Sequence, residues 1–438
     1  MIAGIVNGAE RSHPYRSHKG KVSIRCIPAL YAAAAIVAGL TFPRIEAHIF
    51  PALISTVTVG QATAIYSAIA SGMIALTGIV FSLAFVMIQF SASTYTPRLV
   101  VWIARDPVIS HALGIFTATF LYALAALLWV DRNRSGNVPV ISLVVVGALL
   151  LASVDMFIRL IHLIGLLQVN QMLIFTGDRG REVITKTYPL MERGVVAEEP
   201  VYFNRLTCTQ TLIHHGRPRS IQAVDVAGLV SLAAASDGLI EMAAAVGDTV
   251  VEMMPVLRLY GARQPISEEK LWDGIELGDE RTFEQDPKYA IRLLVDIAIR
   301  ALSPAVNDPT TAVQALDQIE DLLIRLGQRH LEIGSYRDNK NELRLVVLFP
   351  AWEDLVRLAL DEICFCGASS VQVMRRMNAL IADLTPRVPE ERRPALRHWQ
   401  ERVVAAIARS FTGAEEKMEA LEEDRQGLGI SSRRPRGV

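Results

Sequence analysis

Hydrophobic positions along this chain fall into two regimes. Before about residue 175 they form long unbroken runs, and after it they recur at helical or strand spacing. A bilayer-crossing helix needs roughly 20 mostly apolar residues. Four runs approach or reach that length: Cys26 to Phe42, Ala68 to Phe90, His111 to Val130, and Pro139 to about Phe157. The third and fourth are separated by a short connection, which predicts an antiparallel hairpin. From Thr176 the pattern becomes that of a globular region long enough for its own core. Strand-like stretches are expected at Val201–Ile213, Ser220–Val226, Leu239–Ala244 and Leu343–Phe349. Helices are expected at Arg179–Arg193, Ala227–Ala235, from Ser267, from Asp286-Pro287 to Leu302, at Thr310–Arg329, within Trp352–Leu384 and within Pro389–Glu423. Asp286-Pro287 and Asp308-Pro309 both pair a capping residue with proline at the first helical position. The fold class predicted is an α-helical membrane domain of four spans plus a mixed α+β, mainly helical, cytoplasmic domain. Its parts are a basic amino terminus (1–25), the spans (26–175), a small β-containing module (176–265), a mainly helical domain (266–425) and a disordered basic tail (426–438).

Composition supports this division. Of 438 residues, 51% are hydrophobic, more than a soluble chain of this size needs to cover its surface with polar groups. The net charge of −1 creates no global field for nucleic acid. Basic residues instead report orientation. Arg11, Arg16, Lys19, Lys21 and Arg25 precede the first run, Arg98 and Arg105 follow the second, and Arg159, Arg179, Arg181 and Lys186 follow the fourth. Arg44, Arg132 and Arg134 lie on the other side. The expectation is a multi-pass protein of the bacterial inner membrane with both termini cytoplasmic. A cleaved signal peptide ending near Ile45-Glu46-Ala47 is the competing reading of the first run, and would leave three spans. Cys26, Cys208, Cys364 and Cys366 are too few and scattered for a disulfide framework and are expected to be buried thiols.

Candidate chemistry is sparse. In the second run Ser71, Ala75, Gly78 and Ser82 share one helix face, and small faces let helices approach closely in lipid. That face is either a packing seam or, with Gln89, a wet path. Leu99 to Ile103, bracketed by Arg98 and Arg105, has the composition of an interfacial helix. Asp155, Arg159 and His162 project from one face of the fourth run. An ionisable residue at membrane depth is a functional candidate, and the alternative is an Asp155–Arg159 pair reaching to the headgroups. In the globular half, Arg281, Glu284, Asp286, Asp296, Arg300, Asn307 and Asp308 form a polar series. It is either a network that fixes helix ends or a functional surface, namely a ligand or ion site or a dock for the membrane loops. His214 and His215 are adjacent, so on a strand they face opposite ways. Val246-Gly-Asp-Thr-Val250 followed by Pro255-Val-Leu257 looks like the hairpin of biotinyl- and lipoyl-type folds, without a lysine at its tip to carry a cofactor. No phosphate loop, nucleophile elbow, dinucleotide fingerprint or zinc-protease helix is present. No enzyme activity, cofactor, catalytic residue or metal ligand is therefore expected. The partners expected are the lipid bilayer and further copies of the chain, with no nucleic acid; any small ligand or ion is left open.

Two segments carry a family resemblance. One is Arg281-Thr-Phe-Glu-Gln-Asp-Pro287 with Leu294 to Pro304 and Asn307-Asp-Pro-Thr-Thr-Ala312. The other is Ser71 to Ser82 with Tyr95-Thr-Pro-Arg98 after it. Together they resemble the bacterial predicted membrane proteins called domain of unknown function 2254, over most of the chain to about residue 385. The resemblance implies an architecture and almost no biochemistry. The leading expectation is an oligomeric channel- or transporter-like protein with a cytoplasmic regulatory domain. The alternative is a membrane-anchored sensor or scaffold.

Overall fold

The computed structural model describes residues 26–49, 57–94, 107–130, 138–165, 168–191 and 207–430. They divide into two units, one ending at Gln171 and one beginning at Met172.

The first unit is a helical bundle. Its helices are α1 (Ile27–Ile49), α2 (Val59–Thr94), α3 (Pro107–Leu127) and α4 (Val140–Gly165). All four are long and apolar enough to cross a membrane. The second starts nine residues before the apolar run beginning at Ala68. Gln61, Thr63 and Ser67 dilute hydropathy there without opposing a helix, and Ala62 and Tyr66 of the added turns are buried. The first runs on past Phe42 through Pro43. α3 packs against α1, α2 and α4. Tyr66, Tyr122, Ala62 and Ala126 fill one level of the core, and Met73, Phe116, Leu160 and Leu163 fill another. Close approach of α1 and α3 depends on two glycines. A Cβ on Gly39 would lie 2.7 Å from Ala125 Cβ, and one on Gly114 would lie 2.6 Å from the Tyr31 ring. The segment expected as an interfacial helix, Leu99 to Arg105, lies outside the described residues.

Helix α5 (Val169–Thr187) begins ten residues before the expected Arg179, and from Met172 onward it belongs to the second unit. Strands β1 (Cys208–Ile213), β5 (Pro255–Tyr260), β3 (Leu239–Met242), β8 (Leu343–Val346) and β7 (Ser335–Arg337) form one sheet in that order. Only the β3–β8 pair is parallel. A second, antiparallel sheet runs β4 (Thr249–Val250), β2 (Arg219–Val224), β6 (Ile275–Gly278). β6 and β8 lie beyond residue 265, yet they pair with β2 and β3. Helix α6 (Val226–Ala235), capped by Asp225 on the Gly228 N–H, and the short α7 (Glu268–Asp273) complete this layer. Leu212, Ile221, Leu229, Ile240, Val256, Leu257 and Leu345 make its core.

Helices α8 (Pro287–Ala301), α9 (Pro309–Gly327), α10 (Trp352–Gly367), α11 (Val371–Leu384), α12 (Arg393–Ser410) and α13 (Ala414–Leu421) follow. In α9 Ala312, Ala315, Leu316, Ile319, Leu322, Leu323 and Leu326 recur at three and four residues and are all buried. Buried arginines tie the helices together. Arg376 reaches Asp317 at 2.8 Å and Glu320 at 2.6 Å, while Arg392 donates to the carbonyls of Leu326 and Arg329. Of the four free cysteines only Cys364 is buried; Cys26, Cys208 and Cys366 are exposed, against the expectation of buried thiols. Two residues along a helix turn about 200°, so Cys364 and Cys366 cannot share the core face.

Candidate functional site

Along α2, Ser71, Ala75, Gly78, Ser82 and Gln89 lie within about 40° of one line at 100° per residue. All five are exposed. A Cβ on Gly78 would meet nothing within 4 Å. The buried positions of the helix, Ala62, Tyr66, Ala70, Met73 and Val80, occupy the opposite side. Large exposed apolar side chains border the small line, with Ile74, Phe81 and Phe85 on one flank and Ile79 and Val86 on the other. The result is a shallow groove with a polar floor. Packing among the described residues does not use it; there the small residues that close the bundle are Gly39 and Gly114, which the sequence reading did not single out.

On α4, Arg159 Nε lies 2.8 Å from Asp155, with both side chains more than half exposed. His162 is also exposed and is not part of that pair.

A third polar group gathers at one end of the bundle, where α1 and α3 end and α2 and α4 begin. Glu46, read from sequence only as part of a cleavage signal, is 6% exposed. Its carboxylate accepts the N–H groups of Ile141 at 3.0 Å and Ser142 at 3.4 Å in the first turn of α4. Tyr66 and Tyr122 stand near it. Arg44 stacks over Trp129 with 4.6 Å to the ring centre. One signal was available in the sequence: a carboxylate at the end of a spanning run needs a partner, and a helix amino terminus offers four unpaired N–H groups.

The polar series of the second unit separates in space. Arg281 and Asp286 form an ion pair, its carboxylate buried and its guanidinium partly exposed, with Nη2–Oδ2 at 2.6 Å and Nε–Oδ2 at 2.8 Å. Asp286 holds the cap position of α8, but its side chain makes no cap hydrogen bond and turns to Arg281 instead. Burial pushes the Asp286 carboxyl above the ordinary carboxylate range, and Arg281 and Lys288 oppose the shift. Gly247, at φ +90°, lies against this carboxylate: a Cβ there would come within 2.0 Å of Oδ2. Arg281 also stacks over Tyr289. Farther along α8, Asp296 pairs with Arg292 at 2.5 Å, and Arg292 reaches Glu362 of α10. Asn307 and Asp308 lie past the far end of α8, which spans about 22 Å at 1.5 Å per residue. Asn307 adopts φ +49°. The Asp308 carboxylate accepts the Thr311 N–H at 3.1 Å, as a cap should. Glu284 is exposed and Arg300 half-exposed. His214 is buried with Nε2 2.9 Å from the Arg217 carbonyl, while exposed His215 faces Glu252.

The profile of one protein family, described as predicted membrane protein (DUF2254), matches residues 21–383. The chain belongs to that family. Among curated proteins it is similar to uncharacterized proteins of Mycobacterium bovis and Mycobacterium tuberculosis, each 28% identical over 374 residues, covering 83% of this chain and 71% of the relative. No solved structure matches. The span matched by the DUF2254 profile takes in all four apolar helices, the α2 groove, Glu46 and the Arg281–Asp308 segment. It stops inside α11, so α12 and α13 lie beyond it.

Proposed function

We propose that copies of this chain assemble in the bacterial inner membrane through α2 and form a passage for ions or small solutes, with both termini and the second unit in the cytoplasm. The observation that supports this is the exposed line Ser71, Ala75, Gly78, Ser82 and Gln89 on the side of α2 away from its own bundle. Among lipid tails the Gln89 amide lacks hydrogen-bond partners and a serine has at most a carbonyl one turn back, and a groove of small residues forgoes dispersion contacts that a neighbouring helix would supply. Both deficits are met when α2 faces another copy or water. Four spans enclose too little space for a pore of their own, so the passage belongs to the assembly. The second unit regulates or organises it, and the reading assigns the chain no catalytic chemistry. Asp155 and Arg159 serve as an exposed pair at the helix surface in this scheme, outside the passage.

The test is ion and solute flux from proteoliposomes holding the full-length protein, with and without tension. Ser82→Leu is expected to abolish the flux seen for the unaltered chain. Equal flux from a folded Ser82→Leu variant would remove α2 from the path.

A further inference from the structure

Glu46 is an anion set into the amino-terminal end of a helix. α4 is 26 residues long, so its first turn presents unpaired N–H groups and the positive end of a long peptide dipole. Such ends bind anions without further help. Here the anion is a side chain from α1, and it takes the N–H groups of Ile141 and Ser142.

The surroundings hold more donors than one carboxylate uses. The hydroxyls of Tyr66, Tyr122 and Ser142 are buried, with side chains 1%, 1% and 0% exposed. The Tyr66 hydroxyl has no hydrogen-bond partner among the described residues, and those of Tyr122 and Ser142 have at most each other. The Tyr122 hydroxyl lies beside that of Ser142, and both tyrosine hydroxyls are close enough to feel the Glu46 charge. A buried hydroxyl without a partner costs about 1–3 kcal/mol. Hydroxyls this poorly satisfied, contributed by α2, α3 and α4, are a liability for a bundle that needs only a helix cap, and an asset for a bundle that holds a ligand.

The chemistry selects the ligand's sign. Two backbone N–H groups, hydroxyls able to donate and the helix end all favour negative charge. A cation would face the positive end of α4. Tyr66, Tyr122 and Val138, all buried in one cluster, surround this end of the bundle, and such close packing suits a monatomic anion better than a larger one.

We propose that the amino-terminal end of α4, with the hydroxyls of Tyr66, Tyr122 and Ser142, is a binding site for a small monovalent anion of the chloride class, and that Glu46 occupies and occludes it. This stands independently of the passage formed by α2: the site could bind in a chain that conducts nothing, and a conducting chain could lack it.

The experiment is thermal unfolding of the purified full-length protein in sodium chloride, bromide or gluconate at fixed ionic strength. The unaltered chain is expected to respond equally to the three salts, because its own carboxylate fills the site. Glu46→Ala is expected to gain a saturable rise of several degrees in chloride and bromide over gluconate. Adding Tyr122→Phe and Ser142→Ala to it should abolish that gain. Glu46→Gln, which keeps the side-chain volume, guards against misfolding and should show a smaller gain in the same direction. Equal responses to all three salts in either folded neutral variant, or a chloride gain that survives loss of both hydroxyls, would overturn the proposal. So would failure of both variants to fold even in high chloride, since a competent site would be rescued by its ligand.

Discussion

Arg281 favours the ionised form of Asp286 against burial, which pushes the carboxyl above its ordinary range. A carboxyl whose folded value is raised above its unfolded value stabilises the fold below the unfolded value, and that contribution is lost as pH rises through the folded value. Removing the guanidinium widens this window upward. Arg281→Ala should therefore cost on the order of 3–5 kcal/mol near neutral and alkaline pH, as expected for a buried charge left alone. It should cost clearly less at acidic pH, where the lone carboxyl takes up a proton. Urea titrations of the full-length protein at both pH values check this, and a cost independent of pH would contradict it. Gly247 is bound to the same feature: any side chain there meets Asp286 Oδ2 in addition to a strained φ of +90°. The sequence made the Arg281–Asp286 segment conspicuous but presented Asp286 as a helix cap. Capping and ion pairing use the same carboxylate, and the outcome depends on Arg281 folding back five residues, which no local pattern specifies. Asp308 has no such competitor and caps α9 as its sequence predicts. Asp308→Ala should cost about 1 kcal/mol, measured by the same unfolding assay.

The elements differ in how plainly the chain announces them. Runs such as Val140 to Leu163 leave no choice but a helix, and amphipathic α9 is written in its three- and four-residue spacing. Short strands are decided by their neighbours: β6 and β7 have four and three residues, too few for an alternation to register. Glycines in the bundle show the same dependence on context. Gly78 on α2 and Gly114 on α3 look alike in sequence, yet only Gly114 touches another helix of the chain. Gly114→Val should destabilise the bundle by about 1–3 kcal/mol through overpacking against Tyr31. Gly78→Val should leave the stability of the single chain unchanged and weaken association between copies. Thermal unfolding and light scattering of the two variants separate these effects, and equal losses of stability would show that α2 packs within its own chain.

At the scale of the whole molecule, the division into an apolar helical unit and a mixed α/β unit follows from the change of hydrophobic pattern near residue 175. Membership of the predicted membrane protein family agrees with it. The strand pairing of the second unit was not legible, because β2 with β6 and β3 with β8 join segments about 55 and 105 residues apart and only the closed core rewards such pairing. The Glu46 site was hidden for a related reason: its four side chains come from four helices. The exposed α2 line was visible as a face but not as a surface, since only the folded bundle reveals that the described residues leave it uncovered.

The central claim is that this line is where copies of the chain meet. Cysteine cross-linking in native membranes tests it directly. In a background with Cys26, Cys208, Cys364 and Cys366 replaced by serine, Gly78→Cys should form disulfide-linked dimers under mild oxidation, while Val80→Cys on the buried side should not. Absence of the Gly78→Cys dimer in intact membranes, or equal dimer from both positions, would contradict the account.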